Sequence, residues 1–142
     1  MNTNPSFLSP WQPQLLGLLR IVTGYLFLLH GTAKLLHAPH VAMFDQLDPF
    51  SLFGFAGILE LVGGILVLIG LFTRPVAFIL SGEMAFAYFI GHASSGSPLL
   101  PLLNEGELAV TWCFLFLYFS ASGAGAWSAD NALSRPRAAT AT

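Results

Sequence analysis

The sequence predicts an all-α fold, an integral membrane antiparallel four-helix bundle, and three observations predict it. Only 8% of the 142 residues are Asp, Glu, Lys or Arg, against roughly 25% in soluble proteins. Hydrophobic residues make up 55% of the chain, and the mean hydropathy is +0.72. A soluble domain of this size needs a polar coat that this composition does not supply. Finally, four segments approach the roughly 20 apolar residues that cross a hydrocarbon core at about 1.5 Å per residue.

In chain order, residues 1–13 form a short cytoplasmic lead. Its stretch "MNTNPSFLSPWQPQ" lacks the basic charge of a cleaved signal, and the apolar run that follows is too long for one. The four-helix domain covers 14–127, with helices expected at about 14–36, 51–72, 75–92 and 106–125. Breakers part them: "HAPHVAMFDQLDPF", then "TRP", then "SSGSPLLPLLN". The shortness of "FTRPV" demands that the second and third helices form an antiparallel hairpin. Residues 128–142, "SADNALSRPRAATAT", are small and polar and read as a disordered cytoplasmic tail.

Basic residues in short loops mark the cytoplasmic side. Arg74, Arg135 and Arg137 fall on the side of both termini, while Asp45, Asp48 and Glu105 fall on the other. Lys34 alone runs against this pattern. Trp11, Trp112 and Trp127 lie near helix ends, where interfacial anchors sit. The expected location is thus a cytoplasmic membrane, with lipid as the first partner.

Charges within the spans need a reason. From the cytoplasmic side, Arg20 lies about 9 Å into the first helix and Glu83 about 12 Å into the third, so the two can meet. Glu60 reaches about mid-bilayer in the second helix. His30 and Lys34, four residues apart, share a face toward the outer side, level with His92 and Glu107. A charge at a helix centre costs about 2.5–3.5 kcal/mol on insertion scales, and intramembrane ionisable residues are by default functional. The plainer readings stay open: Arg20 with Glu83 as a structural pair, Lys34 snorkelling to headgroups, His92 and Glu107 simply hydrated. Gly57 and Gly64 flank Glu60 on one stripe, and Gly17, Gly24 and Gly31 share a stripe with Arg20 and Lys34, which marks close-packed interior faces. On the fourth helix Glu107, Thr111, Phe114 and Tyr118 present hydroxyls that suit a carbonyl ligand, although Thr111 can equally bond its own backbone.

Other chemistries are disfavoured. No basic stripe with interleaved aromatics supports nucleic-acid binding. The single cysteine, Cys113, excludes an internal disulfide and any CxxC motif. No haem, flavin or metal motif is evident. Haem ligation by His30 and His92 is a weak reading, and Pro39 argues against a helical metal pair at His37 and His40.

Three blocks, "RIVTGYLFLLHGTAKLL", "GILELVGGILVLIGLFTRPVAFILSGEMAFAYF" and "NEGELAVTWCFLFLYFSASGAGAWSAD", together span about residues 16–131. In order and spacing they resemble the DoxX family of small bacterial membrane proteins. The matching positions are Arg20, Gly31, Lys34, Glu60, Gly63, Gly64, Arg74, Glu83, Gly106 and Glu107. The resemblance implies a four-helix protein of the bacterial inner membrane, linked to thiosulfate:quinone or quinol oxidase systems or to redox-defence enzymes.

The expected function is therefore a membrane subunit of a redox system that interacts with quinone. Glu60, His30 and Lys34 are its candidate catalytic residues; Arg20, Glu83, Glu107, Thr111 and Tyr118 are its candidate cofactor contacts. Phe27, Phe86 or Tyr88 would wall the ring. Electrons must come from a partner enzyme or a thiol substrate, since the chain has no redox centre of its own. Whether the chain is itself catalytic stays open, as does homo-oligomerisation. Two alternatives stand beside this reading: a non-enzymatic membrane anchor for a soluble redox enzyme, and a small proton-coupled carrier, for which four helices leave little room.

Overall fold

The computed structural model describes residues 6–94 and 97–134. Among them the chain is helical throughout its regular parts: α1 (Gln12–Leu36), α2 (Leu52–Ile69), α3 (Thr73–Ala87), α4 (Glu107–Ser122) and α5 (Ala129–Ser134). α3 continues through a π-helical turn, Tyr88–His92, in which the Ala93 amide reaches back to the Tyr88 carbonyl at 2.8 Å. α2 and α1 with its preceding turn (Ser9–Leu36) are long and apolar enough to cross a membrane; α4 is a shorter apolar helix.

Local chemistry sets the ends. Pro13 presets the backbone at the start of α1. The Ser51 hydroxyl accepts the Gly54 amide at 3.1 Å and caps α2. α2 stops at Ile69, short of the expected 72, because Gly70 turns left-handed (φ +69) and Leu71 N–H closes onto the Leu66 carbonyl at 2.9 Å. Leu71 and Phe72 then lead straight into α3, so α2 and α3 are antiparallel neighbours.

The contacts run in antiparallel register along each seam. Between α1 and α2, Gly24 faces Leu68, Gly64 faces Leu28 and Gly57 faces Lys34. A Cβ on Gly24 would sit 2.5 Å from the Leu68 nitrogen, and one on Gly64 would sit 2.8 Å from the Leu28 Cα. Only glycine lets these two backbones approach so closely. Between α3 and α4, the Ser81 hydroxyl donates to the Cys113 carbonyl at 2.8 Å, and Arg74 donates to the Ser120, Ala121 and Ser122 carbonyls at the end of α4. α1 meets α4 through Phe27, whose ring stands edge-on to Trp112 and Phe116 at centroid distances of 4.9 and 4.8 Å. Phe27, Val67, Leu80, Phe116 and Phe119 form the centre of the core.

The outward faces are apolar. Leu18, Val22, Ile58, Val62, Ile65, Phe78, Phe89, Phe114 and Leu117 are all exposed, while Arg20, Thr23 and Glu60 are buried. The ordinary inside-out order of a water-soluble bundle is absent from these four helices.

Two expectations are corrected here. The tail expected to be disordered from 128 forms α5 up to Ser134, because the Asp130 carboxylate accepts the Phe72 and Thr73 amides at 2.7 and 2.9 Å and so caps α3; Arg135, Arg137 and the rest of 135–142 lie outside the described residues, as do residues 1–5 of the lead. Trp112 is no interfacial anchor: it is buried in the core, whereas Trp11 and Trp127 are exposed.

Candidate functional site

A cavity of about 540 Å³ opens among the helices at the end where α1 finishes and α2 begins. That volume lies within the usual range for small-molecule pockets, about 300–1,000 Å³. Two glycines border open space there. A Cβ on Gly82 or Gly91 would meet nothing within 4 Å, and both residues line the hollow. Phe53, Leu59, Phe86, Ile90 and Trp112 give it apolar walls, and Lys34, Glu60, Glu83, His30, His92 and Glu105 supply polar groups.

The α1–α2 seam places the first pair. Because Gly31 lies against the Glu60–Leu61 backbone and a Cβ on Gly57 would sit 3.1 Å from the Lys34 Cβ, the two side chains meet across it. Lys34 Nζ donates to Glu60 Oε1 at 2.6 Å, with the side chains only 11% and 4% exposed. The Phe44 ring sits 5.8 Å from the same ammonium. Lys34 therefore does not snorkel outward; it is spent on the carboxylate.

α3 supplies Glu83. Both of its carboxylate oxygens, and Oε2 of Glu60, are shielded from solvent without a hydrogen-bond partner among the described residues. Buried acceptors are rarely left unmet, which sets these three oxygens apart. His30 stands edge-on to Trp112 at 4.9 Å. His92 meets the Asn104 carbonyl through Nδ1 at 3.0 Å and stacks beside Tyr88. The cavity thus joins an ion pair, a carboxyl without partner and imidazoles to an aromatic slot.

Arg20 is elsewhere. It does not meet Glu83, the pairing that their depths suggest. Its Nε donates to the Ala124 carbonyl at 2.8 Å, Nη1 to Val67 and Leu68 at 2.7 and 2.5 Å, and Nη2 to Trp127 and Ala126 at 2.8 and 3.3 Å. All five donors of the guanidinium fork are used, on the negative end of α2 and on the 124–127 loop. The group is fully buried and is a structural clasp at the end opposite the cavity.

Three further sequence candidates do not reach the cavity. Glu107 and Thr111 are exposed on α4, and Tyr118 lines a separate cleft at the Arg74 end. Of the expected ring walls, Phe86 lines the cavity, Phe27 belongs to the core, and the Tyr88 hydroxyl donates to the Pro98 carbonyl at 2.8 Å. Sequence reasoning passed over Trp112, Gly82 and Gly91 as site residues; the one available signal was that Gly82 adjoins a glutamate in an apolar helix.

At the opposite end, burial opposes the Asp130 charge, but the amide hydrogen bonds from Thr73 and Phe72 and the nearby Arg20 outweigh it and hold the carboxyl below its usual value.

Comparison with known proteins fits this layout. The DoxX family model matches residues 15–93, the stretch that carries Lys34, Glu60 and Glu83. An uncharacterized protein of Haemophilus influenzae is 50% identical over 129 residues, covering 87% of this chain and 94% of that protein. No solved structure matches the chain. A family match over more than half of its length means that the chain belongs to the DoxX family.

Proposed function

We propose that this protein is an integral subunit of a redox system in the bacterial cytoplasmic membrane, spanning it with α1 to α4 and holding a quinone-class ligand in the cavity. The observation that carries the reading is the roughly 540 Å³ aromatic-walled cavity whose wall bears the buried Lys34–Glu60 pair and the unpartnered Glu83 carboxyl. An apolar ring with oxygens at its edge fits such a slot, because its body needs greasy walls and its oxygens need a few placed polar groups. The polar groups on that wall, His30 among them, would hold those oxygens. When bound, a quinone supplies two-electron chemistry coupled to proton uptake; this chain's residues bind it, orient it and exchange protons beside it, and a partner protein provides the electrons.

Exposed leucines, isoleucines and phenylalanines on the outward faces support lipid as the surrounding solvent. The α2–α3 turn with Arg74 faces the cytoplasm together with the start of α1 and with α5. Lys34, the basic residue that opposed this orientation, is buried against Glu60 and does not count as a loop charge.

The test is an organic extract of the protein purified in mild detergent, analysed by mass spectrometry beside a Gly82→Leu variant whose side chain fills the hollow. Near-stoichiometric quinone in the native chain, lost in the variant, is the expected result. Equal, trace amounts in both would overturn the reading.

A further inference from the structure

The carboxyl groups on the cavity wall are not equivalent. Glu60 is central in α2 and looks from sequence like the proton-carrying group, yet it is only 3% exposed and gives Oε1 to Lys34 at 2.6 Å. Glu83, one helix away, gives neither oxygen to any group among the described residues. The other elements bring these groups to the cavity wall. α1 brings Lys34 and His30, α2 brings Glu60, the π-helical turn brings His92, and the segment before α4 brings Glu105, while α4 itself offers Leu108, Ala109 and Trp112. Lys34 is committed to Glu60, and His92 has its Nδ1 on the Asn104 carbonyl.

A carboxyl group left this way is costly unless a ligand meets it. A carboxyl group also suits both states of a ring oxygen. Ionised, it accepts from a hydroxyl; protonated, it donates to a carbonyl. An ammonium such as Lys34 can only donate. Gly82, which precedes Glu83, also lines the cavity, and a Cβ on it would meet nothing within 4 Å.

We propose that Glu83, rather than Glu60, is the residue that hydrogen-bonds the ring oxygen of the ligand, and that the Lys34–Glu60 pair is a positioning element that fixes the wall against which it works. The proposal rests on the quinone-class reading of the cavity and adds to it the contact residue.

Trp112 lines the cavity, so its fluorescence reports occupancy once Trp11 and Trp127 are changed to Phe in the full chain. The probe is a short-chain ubiquinone analogue titrated into detergent-solubilised protein, with thermal midpoints recorded for every variant. The native background should show saturable quenching, and Gly82→Leu should abolish it. Glu83→Met, which removes both hydrogen-bonding oxygens, should weaken binding about tenfold or more, the usual loss for a hydrogen bond to a charged or polar buried partner. Native affinity in Glu83→Met, with Gly82→Leu still blocked, would overturn the role of Glu83 and leave the cavity as the site. Quenching that is absent, or indifferent to Gly82→Leu, would overturn the cavity reading and this inference with it. Glu83→Gln guards against misfolding of the Met variant, because it keeps the shape but not the carboxyl. Infrared difference spectra on adding the probe should contain a carboxyl band that Glu83→Gln removes; a spectrum with the same carboxyl bands in both proteins would sink the proposal without any mutant affinity.

Discussion

The ammonium of Lys34 and the carboxylate of Glu60 meet at 2.6 Å across two backbones that touch through glycine. Both groups are almost fully out of solvent, so neither can be removed alone without stranding the other. Truncating one partner of such a pair costs about 3–5 kcal/mol, whereas replacing both by apolar groups is often neutral. Lys34→Met and Glu60→Met should therefore each lower the thermal midpoint, and the two combined should recover much of the loss. Strictly additive midpoints in that cycle would show that the pair contributes no coupling.

Arg20 makes a different kind of claim on stability. Its five bonds all go to backbone carbonyls, and a lysine cannot reproduce a planar fork. Arg20→Lys should thus be nearly as damaging as Arg20→Ala, with losses of several kcal/mol, at about 1–3 kcal/mol for each acceptor left unmet. Arg74→Ala, at an exposed site on the end of α4, should cost less. Glu83→Gln should leave the midpoint near that of the native chain, since Glu83 is not the partner of Arg20. Urea or thermal unfolding of the four variants in detergent decides the order.

Asp130 predicts a pH dependence. Its folded carboxyl is held below the ordinary value near 3.8, so the unfolded chain takes up the proton first as the solution is acidified. The contribution is full above about pH 4 and disappears as pH falls through the lower folded value. As an exposed cap it is worth at most about 1 kcal/mol, less after solvent screening. Asp130→Asn should flatten that part of the stability profile and shift the midpoint at neutral pH by only a few degrees.

Gly82 and Gly64 should respond in opposite ways to the same change. Gly82 faces open space, and a better helix former there gains about 0.5–1 kcal/mol of propensity. Gly64 faces the Leu28 backbone, where a Cβ forces α1 and α2 apart. Gly82→Ala should raise the midpoint slightly and Gly64→Ala should lower it markedly. A fall for Gly82→Ala comparable with Gly64→Ala would show that the cavity is not an open space in solution.

The sequence made some of this legible and hid the rest for physical reasons. Glu60 stood out because hydropathy and length fix depth, and a short acid at mid-span has no route to water. The glycine stripes marked close-packed faces, since small residues at helical spacing have one common use, and in the structure Gly24, Gly31, Gly57 and Gly64 lie in the α1–α2 seam. Depth alone misled on Arg20: residues at one level need not lie on touching helices, and its true partners are carbonyls, which every residue carries and no sequence distinguishes. Lys34 with Glu60 was hidden for the complementary reason, because their levels matched only once α1 and α2 were known to be the adjacent pair. Asp130 caps a helix 57 residues away in sequence, and no local pattern announces a cap delivered from that distance. Trp112 looked like an anchor by position and proved to be a wall by rotation about α4.

The segment from Ala124 to Asp130 carries a consequence for biogenesis. It takes four of its ties from earlier helices: Arg20 binds its carbonyls, the Ala126 amide donates to the Pro13 carbonyl at 2.7 Å, the Asp130 amide donates to the Gly70 carbonyl at 2.9 Å, and the Asp130 carboxylate caps α3. A ribosome delivers these residues only after α1 to α4 have been synthesised. Helix formation and latching are thereby separate events, with the buried guanidinium waiting for acceptors that the chain has yet to supply. A reporter fused after residue 134 should leave assembly intact, while a stop codon before residue 124 should yield an inserted but unlatched product, open to membrane proteases.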